Sequence, residues 1–216
     1  MAEGATRYDE TFAAWRSDPA GWWGKAAEAI AWDAPPKRAF DPSLGVYGRW
    51  FPGGRLNTCF NAVDRHVAAR GADQAAIILD SPMTRPGETI TYARLLDRVA
   101  RMAGALAARG VGKGDRVVIY MPMVPEAAIA MLACARLGAV HSVVFGGFAA
   151  AELAARIADA KPRAIVTASC GLEPGRIVKY KPLIDAAIAL SPHKPSSVLI
   201  LQRAPSPCEL TPGRDE

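Results

Sequence analysis

The chain has 216 residues, half of them hydrophobic and 22% charged, which is ordinary for a globular protein of one large domain or a domain with an appendage. The net charge of +5 is spread along the chain, which argues against a nucleic-acid partner and fits either phosphate-bearing small molecules or an unliganded basic surface. The sequence contains no uncharged run of 18 residues, the length that would predict a membrane span. No pair of the four cysteines has the CxxC spacing of a zinc or dithiol site. The start of the chain has no signal-peptide pattern, so we expect a cytoplasmic protein.

Residues 1–70 differ from the rest of the chain because they contain all five tryptophans. Tyr8, Phe12 and Trp15 recur at the spacing of one helical face. A helix start is indicated by Asp18 before a proline, and the segment 56–71 predicts a further helix. The aromatic side chains either dock these short helices onto a larger body or form a ligand cage. We therefore predict a helical, tryptophan-rich N-terminal extension.

From residue 75 onward, short apolar runs alternate with helical patterns. Thr91 is a candidate helix cap, and Pro125 is a candidate first helical residue. The predicted strands are 75–79, 117–121, 140–145, 164–169 and 197–202, with a turn over 82–88, and the predicted helices are 91–108, 125–138, 150–161 and 183–190. The pattern from residue 117 is βαβαβαβ, which predicts an α/β fold with a parallel sheet covered on both faces.

Ligands of such sheets bind beyond the carboxyl ends of the strands, where two glycine-bearing segments are expected to lie. Gly146 and Gly147 follow one strand, and they allow either a phosphate to approach a helix N-terminus or a tight turn. The loop predicted after the next strand contains Arg176, which is suited to a forked phosphate contact but is equally compatible with a solvated side chain. Cys170 in the same segment is either a nucleophile or a structural thiol, and the second is favoured because no activating partner is nearby in sequence.

Several long segments resemble one enzyme family. Residues 120–148, which end in VVFGGF, closely resemble the AMP-forming short-chain acyl-CoA synthetases of the acetyl- and propionyl-CoA type. Residues 50–67 resemble the N-terminal region of that group, and residues 90–117 resemble the opening of the adenylate-forming superfamily. Residues 161–188 look more like the propionyl-CoA branch than the acetyl-CoA branch. The resemblance covers roughly residues 8–203.

The resemblance implies a partial adenylate-forming domain, with residues 1–70 as the N-terminal helical region and 71–216 as the first part of the AMP-binding large domain. Family members form acyl-AMP from ATP and a carboxylate, and CoA then attacks the acyl-AMP. The resemblance implies that four residues contact CoA. It also places Glu173 in the CoA site, where the acetyl enzymes typically have an arginine, and this replacement weakens the phosphate contact at that position. The four CoA contacts carried over are Phe145, Gly146, Gly147 and Arg176.

No segment of residues 1–216 resembles the Ser/Thr/Gly-rich lysine loop with which the family holds the ATP phosphates. The resemblance therefore assigns ATP and Mg²⁺ to the complete enzyme, assigns no catalytic residue or metal ligand here, and implies that the chain alone does not activate propionate or acetate. Two alternatives stay open at this point. The chain could be a stand-alone CoA- or nucleotide-binding module, or an interaction fragment that pairs with the remaining synthetase domain or a full-length homologue.

Overall fold

A computed structural model of the protein describes residues 6–83 and 87–216, so part of the turn predicted at 82–88 lies outside the described residues. The chain divides into two compact units, Met1–Asn57 and Thr58–Glu216. Within the described ranges, no helix has the length and apolar character needed to cross a membrane.

The first unit consists of short elements and aromatic pairs. Its elements are α1 (Arg7–Ser17), α2 (Pro19–Ala27), and the antiparallel strands β1 (Phe40–Asp41) and β2 (Arg49–Trp50). The predicted start of the second helix is confirmed, because an Asp18 carboxylate oxygen accepts a hydrogen bond from the Gly21 amide at 2.9 Å. Aromatic rings pack within the unit, for example Trp22 against Trp23 with ring centroids 4.7 Å apart. Whether the aromatic residues dock the helices onto a larger body stays a prediction.

The second unit carries the alternating helices and strands. A π-helical turn at Phe60–Asp64 leads into α3, and Gly71 ends this helix with a φ of 100°, as predicted. The helices are α3 (Arg65–Arg70), α4 (Tyr92–Ala108), α5 (Pro125–Leu137), α6 (Ala150–Ala160) and α7 (Tyr180–Leu190). The strands are β3 (Ala75–Leu79), β4 (Glu88–Thr91), β5 (Arg116–Met121), β6 (Val140–Phe145), β7 (Ala164–Ala168), β8 (Cys170–Glu173), β9 (Arg176–Lys179) and β10 (Ser197–Leu201).

The predicted parallel sheet is confirmed. Four strands pair in the order β10-β7-β5-β6, all parallel. Side chains of β5 alternate between two cores: Val117 and Ile119 pack with α4 and α5, whereas Val118 packs with α6 and α7. Because β5 is buried on both faces, it reads as a continuous apolar run rather than an alternating one.

The caps explain why most helix bounds could be predicted. The Thr91 hydroxyl accepts a hydrogen bond from the Arg94 amide at 3.3 Å, which fixes the start of α4. The predicted start of α7 at residue 183 was wrong, because the helix begins at Tyr180. Pro182 lies in its first turn, where a helix does not use the missing N–H group.

Two antiparallel strand pairs, β3–β4 and β8–β9, differ from the sequence prediction. Strand β3 does not join the parallel sheet but pairs antiparallel with β4, which was not predicted. The loop predicted over 170–176 is instead an antiparallel hairpin of β8 and β9, in which Glu173 is opposite Arg176. Pro174 and Gly175 form its turn, and the positive φ of 76° at Gly175 suits glycine after proline.

The edge of the parallel sheet at β10 is paired with the segment 214–216. The Ile200 amide donates to the Glu216 carbonyl at 2.7 Å, and the Glu216 amide donates to the Val198 carbonyl at 3.0 Å. Between these residues, the Asp215 side chain is fully buried. It accepts a hydrogen bond from the Thr211 amide at 2.8 Å and forms an ion pair with Lys181 at 3.2 Å.

Candidate functional site

A cavity of about 640 Å³ lies at the carboxyl ends of the parallel strands. Its volume is within the range of roughly 300–1,000 Å³ that is usual for ligand sites. The strand order changes direction on either side of β5, and the crevice at such a switch point is where open α/β sheets bind ligands. The cavity walls come from the carboxyl ends of β5, β6 and β10, the β8–β9 hairpin, the first residues of α5 and α7, and residues of or next to β3 and β4. The lining includes Leu79, Ser81, Met83, Glu88, Met121–Glu126, Val143–Gly147, Leu172, Glu173, Tyr180, Leu201 and Arg203–Pro205.

The structure brings four of the five sequence-predicted site residues to this cavity: Phe145, Gly146, Gly147 and Glu173. Arg176 is not among the described lining residues, and its side chain is 70% exposed. Its guanidinium forms an ion pair with Glu173 at 2.7 Å, so it adjoins the cavity only through that carboxylate. The assignment of all five residues to CoA stays a prediction.

The packing around Gly146 favours the tight-turn interpretation of that residue. A Cβ atom placed there would lie 2.4 Å from the Tyr180 hydroxyl oxygen and 3.0 Å from the Met121 carbonyl oxygen. A Cβ atom at Gly147 would lie 2.6 Å from the Phe145 ring, whose residue is 72% exposed. Gly146 is therefore required by close packing, whereas the neighbour of Gly147 is an exposed ring that can move.

Two tyrosines that the sequence analysis missed support this turn. The Tyr120 hydroxyl donates a hydrogen bond to the Phe148 carbonyl at 2.7 Å and lies 3.2 Å from the Gly146 carbonyl oxygen. Burial raises the pKa of Tyr120 to about 12, so the phenol stays protonated and available as a donor. Its ring packs against Tyr180 with centroids 4.9 Å apart. A tyrosine in a buried strand is the signal that could have identified such an anchor, because a buried hydroxyl needs a partner.

The charged groups of the cavity are mostly paired. The Arg98 guanidinium donates to a Glu88 carboxylate oxygen at 3.2 Å and forms an ion pair with Glu126. Glu173 is paired with Arg176, as described above. Arg203, which the sequence analysis did not single out, lines the cavity and donates a hydrogen bond to the Cys170 carbonyl at 2.9 Å.

Three cysteines of this unit, Cys59, Cys134 and Cys170, are fully buried. Cys170 is completely buried, which favours the structural interpretation of its thiol over a nucleophilic one. Cys134 in α5 is also completely buried. Burial raises the pKa of Cys134 to about 11, so the unreactive thiol form dominates at neutral pH.

Two families match adjoining parts of the chain. The family described as AMP-binding enzyme matches residues 63–215, and the one described as acetyl-coenzyme A synthetase N-terminus matches residues 8–62. The solved structure of an acetoacetyl-CoA synthetase from Streptomyces lividans aligns with a TM-score of 0.82 at 26% identity, over 100% of this chain and 32% of that one.

Characterised sequences agree with these matches. The chain is 50% identical to the bovine mitochondrial acyl-CoA synthetase short-chain family member 3 over 203 residues, which is 94% of this chain and 30% of that protein. It is 44% identical to the propionate–CoA ligase of Escherichia coli (strain K12) over 199 residues, which is 92% of this chain and 32% of that protein. The chain thus spans about a third of the length of these relatives. It belongs to the AMP-forming acyl-CoA synthetase family and corresponds to the N-terminal portion of its members.

Proposed function

We propose that the chain is the N-terminal part of a ligase that forms propionyl-CoA or acetyl-CoA from the carboxylate, ATP and CoA through acyl-AMP. Within that enzyme, this part binds the nucleotide end of CoA in the cavity at the carboxyl edge of the sheet. The observation that carries the proposal is the convergence of Phe145, Gly146, Gly147 and Glu173 on one cavity, with Arg176 attached to its rim.

The residues present fit a nucleotide. Phe145 is an exposed ring at the end of β6, where it could stack against a planar base. Gly147 beside it carries no side chain, and the nearest atoms to a Cβ placed there belong to that exposed ring. Apolar side chains such as Leu172 and Val143 line the rest of the cavity, as is usual in ligand sites.

ATP and Mg²⁺ belong to the complete enzyme in this proposal, and no catalytic residue is assigned within the chain. We further propose that residues 1–70 act as the N-terminal helical region and that 71–216 form the first part of the AMP-binding domain. A cytoplasmic location is proposed as well, although the bovine relative carries the word mitochondrial in its name.

Pyrophosphate release in the presence of ATP, Mg²⁺ and propionate tests the proposed division of labour. We expect the chain alone to give only background release, and we expect propionate-dependent release and propionyl-CoA once the remaining length of a relative such as the E. coli propionate–CoA ligase is joined to it. Turnover by the chain alone would contradict the proposal. Replacing propionate with acetate in the joined protein compares the two substrates.

Calorimetric titration of the chain alone with CoA tests the proposed binding site. Pantetheine, which lacks the nucleotide, serves as the control ligand and should bind much more weakly than CoA. If CoA binds but the joined protein gains no activity, the chain is instead a stand-alone binding module. Equal binding of pantetheine and CoA would contradict recognition of the nucleotide end.

A further inference from the structure

Arg203 occupies a fixed position at the cavity wall, two residues after the end of β10. Its amide donates to the Ser169 hydroxyl oxygen at 2.9 Å, and its Nη1 atom donates to the Cys170 carbonyl at 2.9 Å. Ser169 is itself buried, and its amide donates to the Leu201 carbonyl at 2.9 Å. The half-buried Arg203 is therefore fixed by Ser169, which follows β7, and by Cys170, the first residue of β8.

Arg203 differs from the arginines near this cavity in that no carboxylate of residues 6–83 and 87–216 pairs with its guanidinium. Arg98 is engaged by Glu88 and Glu126, and Arg176 is engaged by Glu173. Among the described residues, by contrast, no carboxylate lies within 4.0 Å of the Arg203 guanidinium, and no other cation lines the cavity. A guanidinium has five N–H donors, and the Cys170 carbonyl occupies one nitrogen, so further donors are available to a ligand.

We propose that Arg203 binds a phosphate group of the CoA nucleotide. This inference rests on the proposed function and names the charge that the site uses. The family resemblance implies that the hairpin arginine, Arg176, contacts CoA, but in this chain Arg176 pairs with Glu173 and is not among the described lining residues of the cavity. Arg203 supplies a cation inside the cavity, and a guanidinium fork matches the geometry of phosphate oxygens.

Titration calorimetry with three ligands tests the role of Arg203: CoA, dephospho-CoA without the 3′-phosphate, and pantetheine without any phosphate of the nucleotide. In Arg203→Gln, the dissociation constant for CoA should rise by about tenfold or more, because a charge-assisted contact is lost. Arg203→Lys should lose less than Arg203→Gln, since it keeps the charge without the fork. Arg101→Gln is the matched control, because Arg101 is an exposed arginine of α4 that pairs with Asp97 and does not line this cavity.

The ligand series separates the two phosphate sources and guards against a folding defect. A loss confined to CoA assigns Arg203 to the 3′-phosphate, and an equal loss for CoA and dephospho-CoA assigns it to the diphosphate. Equal weakening of pantetheine would show a structural role only, and unchanged CoA binding in Arg203→Gln would also overturn the inference while leaving the proposed function intact. Failure of the unaltered chain to bind CoA would overturn the proposed site and this inference together.

Discussion

At the scale of single residues, the ion pair of Glu173 and Arg176 sets the charge that the hairpin presents beside the cavity. Both Arg176 Nε and Nη2 lie 2.7 Å from the same Glu173 oxygen. Arg176 is largely exposed, and such surface pairs contribute only about 0–1 kcal/mol to stability. The pair therefore matters more for the charge that it presents to the cavity than for folding.

We predict that Glu173→Gln tightens CoA binding by about three- to fivefold, because it removes a negative charge from the cavity wall and releases Arg176. The midpoint of thermal unfolding should stay within a few degrees of the unaltered chain. Calorimetric titration with CoA measures the effect, and Glu152→Gln, which removes the same charge from α6 outside the cavity lining, is the control. Weaker CoA binding in Glu173→Gln would show that the carboxylate itself contacts the ligand favourably.

Some residues of the candidate site could be singled out from the sequence and others could not, for identifiable reasons. Gly146 and Gly147 could be predicted because paired glycines between a strand and a helix are unusual enough to notice. Arg203 could not, because a single arginine after an apolar run is most often a solvated side chain. Its proposed role depends on which neighbouring arginines are paired with carboxylates, and this follows from three-dimensional contacts alone.

At the scale of elements, burial determines what the sequence could predict. The four parallel strands are apolar runs within a regular alternation with helices, so their positions and type were predictable. The β8–β9 hairpin was missed because its strands are only four residues long and contain glycine and charged residues. In the sequence, Pro174–Gly175 indicates a loop, because the strand pairing on either side of it cannot be recognised from the sequence.

The segment 214–216 that pairs with β10 contains one buried carboxylate, Asp215. Burial by itself raises the pKa of Asp215, but hydrogen bonds from Arg214, the Thr211 amide and Lys181 outweigh it and lower the pKa to about 2. A carboxylate whose folded-state pKa is depressed contributes stability above its unfolded pKa of 3.8, and this contribution is lost as the pH falls from about 3.8 towards 2.

Asp215→Asn should therefore lower the free energy of unfolding by about 2 kcal/mol at pH 7, since it leaves Lys181 and Arg214 without their buried partner. The difference from the unaltered chain should be constant between pH 7 and roughly pH 5. It should shrink below about pH 4, where the unfolded state binds a proton at Asp215 while the folded state, with its pKa of about 2, does not. Urea unfolding at several pH values measures it, with the exposed Asp159→Asn of α6 as the control. A difference that does not change down to pH 3 would rule out the carboxylate charge as the cause.

At the scale of the whole molecule, the two units differ in how much they bury. Both hydrophobic cores lie in Thr58–Glu216, and they cover the two faces of the parallel sheet. In the described residues 6–57, by contrast, no residue is fully buried, and aromatic pairs take the place of a core. A segment of this length without a core cannot offset the conformational entropy lost on folding.

We predict that residues 58–216 expressed alone unfold cooperatively and that residues 1–57 alone show no cooperative transition. Circular dichroism during heating distinguishes the two outcomes, with the complete chain as the reference. A sigmoidal transition in the isolated 1–57 segment would show that the aromatic pairs suffice for an independent fold. Loss of structure in the isolated 58–216 segment would show that its stability depends on the first unit.

The Tyr120 hydroxyl bond to the Phe148 carbonyl has a consequence for association kinetics. This bond and the contact of the same hydroxyl with the Gly146 carbonyl fix the turn that contains Gly146 in the folded chain, so binding of CoA at the proposed site would not have to order it. For the proposed site we therefore expect an association rate for CoA that is set by diffusion and orientation, without a slow rearrangement of this turn.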